Sequence, residues 1–204
     1  GDDGDPALTA LRDPPRGPRR IVYLSTIGVY GDRGGDWIDE TSELKPESDR
    51  SRFRVAAEQG WSDLADRLGA NLDLLRLAGI YGPGRNPLAQ LKAGTARRIV
   101  KPGQVFNRIH VDDIAGALAL AMSGGGRHEI YNISDDEPCP PQDVITHAAS
   151  LLGVAPPPEV PSQVSTYWPS GPMIWTWLLR ASTTQRLPSL SSAAPAGASR
   201  GCGP

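Results

Sequence analysis

Two hydroxyl residues and a cluster of arginines carry the first chemical signals. Ser25 and Thr26 close the apolar run Ile21-Val22-Tyr23-Leu24. A compact apolar run of this length reads as a buried parallel strand. Hydroxyls at the carboxyl end of such a strand sit where open α/β sheets bind ligands. There they can hydrogen-bond a substrate hydroxyl or carbonyl and steady its developing charge. They can equally be small polar residues that end a strand. Arg50, Arg52 and Arg54 stand at the start of a helical pattern. A guanidinium attracts anions but keeps its proton, so it is no acid–base catalyst.

These residues need a scaffold. Residues 1 to 19, rich in Gly, Asp, Pro and Arg, read as a loop or ragged end. Residues 31 to 50 form a polar, Gly/Pro-bearing loop long enough to cover a site. Phe53, Ala57, Trp61, Leu64 and Leu68 then recur on one helical face. Ser48 or Asp49 can cap that helix, and Gly69 suits its end. Leu72 to Leu77 reads as a second strand, which predicts a parallel pair joined by a crossover helix. His110-Val111-Asp112-Asp113 opens an Ala/Leu-rich helix running to Met122. Asp112 reads as its cap, and both aspartates suit the macrodipole. Glu129 to Ile133 is a third strand candidate. Residues 141 to 152 form a last helix, with Val144, Ile145, Ala148, Leu151 and Leu152 facing inward. No Asp or Glu follows Glu159, and from about residue 162 the periodicity fades. We read that segment as a disordered or foreign tail.

Bulk composition narrows the function classes. The 204 residues carry a net charge of −2, which gives no field for nucleic acid or an anionic membrane. No apolar stretch approaches a membrane span, and the start lacks a signal-peptide layout. The two cysteines, Cys139 and Cys202, have no metal-ligand spacing, so no metal site is expected. A reducing, cytoplasmic setting is the default expectation.

Four segments, in order, resemble the extended short-chain dehydrogenase/reductase family, in its NAD-dependent epimerase/dehydratase group. They are Ser25-Thr26-Ile27-Gly28-Val29-Tyr30-Gly31, Arg76-Leu77-Ala78-Gly79-Ile80-Tyr81-Gly82-Pro83, Ile109 to Ala115, and Tyr131-Asn132-Ile133. Order across four pieces is more specific than any one motif. The resemblance implies part of a doubly wound Rossmann-type parallel sheet with a small substrate lobe and an irregular C-terminal tail. It divides the chain into 1–19, a domain portion over 20–160, and a tail over 161–204. It implies NAD or NADP as cofactor, a small-molecule substrate such as a nucleotide sugar, and neither nucleic acid nor membrane as partner. A homodimer through the helix at 50–68 is a further expectation.

The resemblance also implies roles. Thr26, with Ser25, would polarise the reacting oxygen. Ser25, Arg54, Leu77, Ala78 and Gly79 would meet the cofactor. Tyr81, Arg98 and Arg108 would meet the substrate, and Arg97 and Lys101 lie in the same cationic stretch. Two departures stand out. The family's glycine-rich pyrophosphate loop would lie before residue 1, and Gly31-Asp32-Arg33-Gly34-Gly35 is no substitute, because it opens no helix. The family's Tyr-x-x-x-Lys pair falls on Arg50 and Arg54. Arg54 can keep the lysine's charge. Arg50 cannot replace the tyrosine's proton chemistry. His110, Asp49, Tyr81 and Tyr30 are the other titratable candidates, each with a structural reading beside the catalytic one. Three functions stay open: an oxidoreductase with atypical acid–base catalysis, a non-catalytic NAD(P)- or metabolite-binding protein, or a non-functional truncated gene product.

Overall fold

A computed structural model describes residues 5–11, 16–124 and 128–161. In chain order its elements are α1 (Pro6–Ala10), β1 (Arg20–Thr26), a 3-10 turn (Ile27–Tyr30), α2 (Asp49–Leu68), β2 (Asn71–Leu77), β3 (Gly79–Tyr81), α3 (Pro87–Lys92), β4 (Arg98–Val100), β5 (Arg108–His110), α4 (Val111–Ser123), β6 (Glu129–Ile133), α5 (Pro141–Leu152) and β7 (Glu159–Pro161). The tail expected over 161–204 lies outside the described residues, apart from Pro161.

β1, β2 and β6 form a parallel sheet in the order β1-β2-β6. Alternation along β2 divides its side chains between two layers. Leu72 and Leu74 join Ile21, Trp61, Leu64 and Ala65 in one core under α2. Leu75 and Leu77 join Ile109, Ile114 and Ile133 in a second core under α4. Helices therefore cover both faces, as the apolar run of β2 requires. Burying each of these large aliphatic side chains contributes roughly 1.5–3 kcal/mol. Two further parallel pairs, β3 with β5 and β4 with β7, extend the fold beyond the strand ends. α5 packs on α3 and β4, which makes the small second lobe.

Local chemistry sets the boundaries of the helices. Ser48 caps α2, its Oγ accepting from the Ser51 N–H at 3.1 Å. Gly69, at φ 63°, ends it in the left-handed conformation.

Four expectations need correction. Asp112 does not cap α4: His110 does, its Nδ1 accepting from the Asp112 N–H at 3.3 Å, while the Asp112 carboxylate lies exposed in the first turn. The segment 1–19 is not all loop. Asp5 caps the short α1, and Leu8 seats where a Cβ on Gly60 would stand 2.7 Å from its Cδ1. Phe53 is 63 % exposed, because it precedes the stretch of α2 that packs through Glu58, Trp61 and Leu64. Leu151 is 65 % exposed, because the buried stripe of α5 runs through Ile145, Ala148 and Ala149.

Candidate functional site

The carboxyl ends of β1, β2 and β6 lie side by side. Ser25, Arg76 and Asn132 are register partners in one row across the three strands. All three point to the α2 side, where Glu58 meets the row. The Ser25 Oγ donates to Glu58 Oε1. Arg76 grips the same carboxylate with Nε to Oε1 at 3.2 Å and Nη2 to Oε2 at 2.8 Å. Its Nη1 donates to the Tyr30 hydroxyl at 2.7 Å, and that hydroxyl donates to Asn132 Oδ1 at 2.8 Å. Burial works to lower the Arg76 pKa, but the bonds to Glu58 and Tyr30 outweigh it and hold the value above the ordinary one. A buried charge is tolerable only with this degree of satisfaction. Ser25 is therefore an interior residue, committed to Glu58.

Thr26 stands one residue further, at the open end. Its Oγ1 accepts from the Gly28 N–H at 3.1 Å and caps the 3-10 turn. Its own O–H remains a donor. A side chain at Gly28 would meet Thr26 Oγ1 at 3.4 Å and Ser51 Oγ at 3.6 Å, so the bare glycine leaves these hydroxyls accessible from one side.

Arg54 lies half-buried one turn before Glu58. Its Nη1 donates to the Tyr23 hydroxyl at 2.6 Å, and its guanidinium carbon is 5.6 Å from the Tyr23 ring centre. Burial raises the Tyr23 pKa, against the lowering effect of Arg54. The phenol thus stays protonated at neutral pH and is no ready base. Arg50 is exposed. Arg52 is tied to Asp49 Oδ1 at 2.6 Å and to the Glu47 carbonyl at 3.0 Å.

Leu77 and Ala78 are buried, and Gly79 carries the Phe106 ring, which a Cβ there would approach to 2.4 Å. The Ala78 and Gly79 amides already donate to the Ile133 and Asn107 carbonyls. Tyr81 and Arg108 sit on neighbouring strands, β3 and β5. The Tyr81 ring meets His110 edge-on at 5.1 Å, and burial together with Asp135 raises its pKa. Arg108 reaches the Phe106 carbonyl at 3.1 Å and lies over the Phe106 ring. Arg98 is elsewhere, on β4, paired with Glu159 at 3.3 Å. The structure therefore groups Ser25, Thr26 and Leu77 to Gly79 at the strand ends, with Arg54 above β1. Tyr81 and Arg108 adjoin that group, through β3 and through Gly79, the register partner of Arg108, while Arg98 lies apart.

Cavities of about 190 Å³ and 90 Å³ lie between α1 and α2 and near Glu129; neither is lined by a predicted site residue. Among the described residues no His/Cys/Asp/Glu group could hold a metal, and no helix is long and apolar enough to cross a membrane. Sequence reasoning missed Glu58, Tyr23, Asn132 and Glu40. The readable sign for Glu58 was its place, four residues after Arg54 and three before Trp61, on the face that goes on to Ala65.

Arg54 spends one N–H on Tyr23 and its guanidinium has further N–H donors, and Thr26 keeps its O–H as a donor. Residues 6–134 match the model of the NAD dependent epimerase/dehydratase family. The chain belongs to that family. It is 34 % identical over 140 residues to Protein YeeZ of Escherichia coli (strain K12), an alignment covering 68 % of this chain and 48 % of that protein. It thus spans about half the length of this curated relative. A functionally unknown conserved protein from Silicibacter pomeroyi DSS superposes with a TM-score of 0.72 at 48 % identity, over 81 % of this chain and 59 % of the other. UDP-glucose 4-epimerase of Thermus thermophilus, solved in complex with NAD, superposes with a TM-score of 0.58 at 26 % identity, over 70 % and 51 %. The partial Rossmann-type sheet of this family member is thereby shown, and Thr26 stands at the carboxyl end of its first described strand.

Proposed function

We propose that the chain is part of an NAD(P)-dependent epimerase/dehydratase-type oxidoreductase acting on a nucleotide-sugar-like small molecule, with acid–base catalysis that does not run through a tyrosine on α2. The observation that carries this reading is Arg54, a half-buried cation on α2 bonded to Tyr23 of β1, the strand that ends at Thr26. Bound there, the cofactor supplies hydride exchange. Arg54 holds the ribose through its remaining N–H groups. Thr26 donates to the reacting oxygen and steadies charge as it develops. The nucleotide-sugar class is supported by the epimerase neighbour. A homodimer through α2, where Phe53 is exposed, belongs to the same proposal; a monomer in sedimentation velocity would remove it.

Calorimetry with NADH and NADPH on the protein carrying this chain tests the reading. Arg54→Ala should weaken binding roughly tenfold, the loss of one charged hydrogen bond, and Arg50→Ala should leave it unchanged. Equal affinity in wild type and Arg54→Ala would sink the assignment. A second reading, a binding protein without turnover, is favoured by the exposed guanidinium of Arg50 at the tyrosine position. Binding with no change in nicotinamide absorbance across a nucleotide-sugar panel would select it.

A further inference from the structure

Residues 31 to 48 do more than connect β1 to α2. The segment folds back on its own neck. The Lys45 N–H donates to the Val29 carbonyl at 3.1 Å, and a Cβ on Gly31 would stand 2.2 Å from the Lys45 carbonyl oxygen. Gly31 has φ 74°, so this close approach needs glycine twice over. A compact loop with its ends together is an Ω-loop, a form often used for function. Its far side crosses the sheet. Glu40 Oε1 accepts from the Asn132 N–H at 2.7 Å, on β6, although the loop leaves from β1. With β2 between those strands, the loop reaches from one edge of the three-stranded sheet to the other.

Asn132 is also the half-buried last member of the polar row. Its backbone N–H holds the loop, and its side chain accepts from Tyr30. From Tyr30 the bonds continue to Arg76 and to Glu58, one helical turn from Arg54. We propose that Glu40 is a positioning residue that seats the loop against β6, and that the chain Asn132–Tyr30–Arg76–Glu58 couples that seat to the turn of α2 carrying Arg54. A ligand that needs the loop raised would then loosen Arg54, and a ligand that holds Arg54 would steady the loop, as linkage demands. What the loop covers rests on the proposed cofactor reading; the coupling itself does not.

A contiguous path is not yet coupling, so the test is a cycle of variants. Amide hydrogen exchange on the full chain reads local opening without any ligand. Glu40→Ala should speed exchange of Asn132 and of residues 36–45 roughly tenfold, the loss of one charge-assisted bond. Residues 50–54 should speed up by a smaller factor. Glu40→Gln should restore both, because its amide oxygen still accepts. In a Tyr30→Phe background, which keeps the ring over Arg76 but cuts the link, Glu40→Ala should still free the loop and leave 50–54 unmoved. An unchanged loop in Glu40→Ala, or no rescue by Glu40→Gln, overturns the seat. A response at 50–54 that is missing when Tyr30 is present, or that persists in the Tyr30→Phe background, overturns the coupling. Failure of cofactor binding in calorimetry would leave these exchange results standing, so the two readings fail separately.

Discussion

The sheet buries two ion pairs, and they are built to different standards. Arg76 and Glu58 are 4 % and 5 % exposed, and both carboxylate oxygens are bonded, with Ser25 and Tyr30 completing the set. Arg20 and Asp73 lie toward the other end, 11 % and 2 % exposed. There Arg20 meets Oδ2 of Asp73, while Asp73 Oδ1 is buried without a hydrogen-bond partner. Glu129 stands directly opposite Asp73 in the register, and like charges so placed repel. Burial raises the Asp73 pKa, Arg20 opposes this, and Glu129 acts both ways, its carboxylate raising the value and its backbone N–H lowering it. Similar chemistry on one strand thus yields a cohesive joint near the carboxyl edge and a costly one away from it. Satisfaction of the remaining lone pairs, more than the attraction of two charges, makes the difference.

The largest expected effect comes from the satisfied pair. Glu58→Ala leaves Arg76 charged and buried without its partner, which should cost about 3–5 kcal/mol. Glu58→Gln should cost less, since an amide oxygen still accepts from Arg76. Urea denaturation of both variants measures this. A loss under about 1 kcal/mol for Glu58→Ala would erase the contrast between the two pairs.

Much of this architecture was legible before the structure. The strands ending at Thr26 and Leu77, the strand Glu129–Ile133, and the helices from Ser48 to Gly69 and over 141–152 follow from periodicity and caps. The long loop after Gly31 was readable too, but its tie to β6 through Glu40 was not. Nor was the polar row. It depends on register, and sequence spacing does not say that Ser25, Arg76 and Asn132 fall on one line. Phe53 and Leu151 were misjudged because helical spacing gives a stripe, while the partner element sets where that stripe begins and ends. Asp112 was misjudged because acidic residues suit both a cap and a first turn, and here His110 takes the cap. Among site residues, the place of Thr26 at a strand end was readable from the run before it. The commitments of Ser25 to Glu58 and of Arg54 to Tyr23 are tertiary facts.

The less satisfied pair makes a prediction in pH. A carboxyl whose folded pKa is raised binds its proton more readily in the native state than in the unfolded one. Its favourable contribution is therefore complete below the unfolded value, about 3.9, and is lost as pH rises through the folded value. Wild type should gain stability relative to Asp73→Asn as pH falls from neutral toward about 4. Asp32 and Asp39 are lowered instead, by Lys101 and by the Thr41 and Ser42 hydroxyls. They drive total stability the opposite way, so the informative quantity is the difference between wild type and variant. A difference that stays flat with pH would show that Asp73 is not the strained member of the sheet.

The smallest effect belongs to a third pair, which separates burial from distance. Lys101 Nζ lies 2.5 Å from Asp32 Oδ2, with side chains 41 % and 47 % exposed. Each partner shifts the other in the expected sense, Lys101 up and Asp32 down. Water screens such a pair, and ordering two side chains offsets most of what the contact contributes. Lys101→Met should leave the thermal midpoint unmoved within error, at low and at moderate salt. A clear loss would mean that the Ω-loop is held at Asp32 as well as at Glu40. The exchange response to Glu40→Ala should then grow when Lys101→Met is added, because two clamps on one loop fail more than additively.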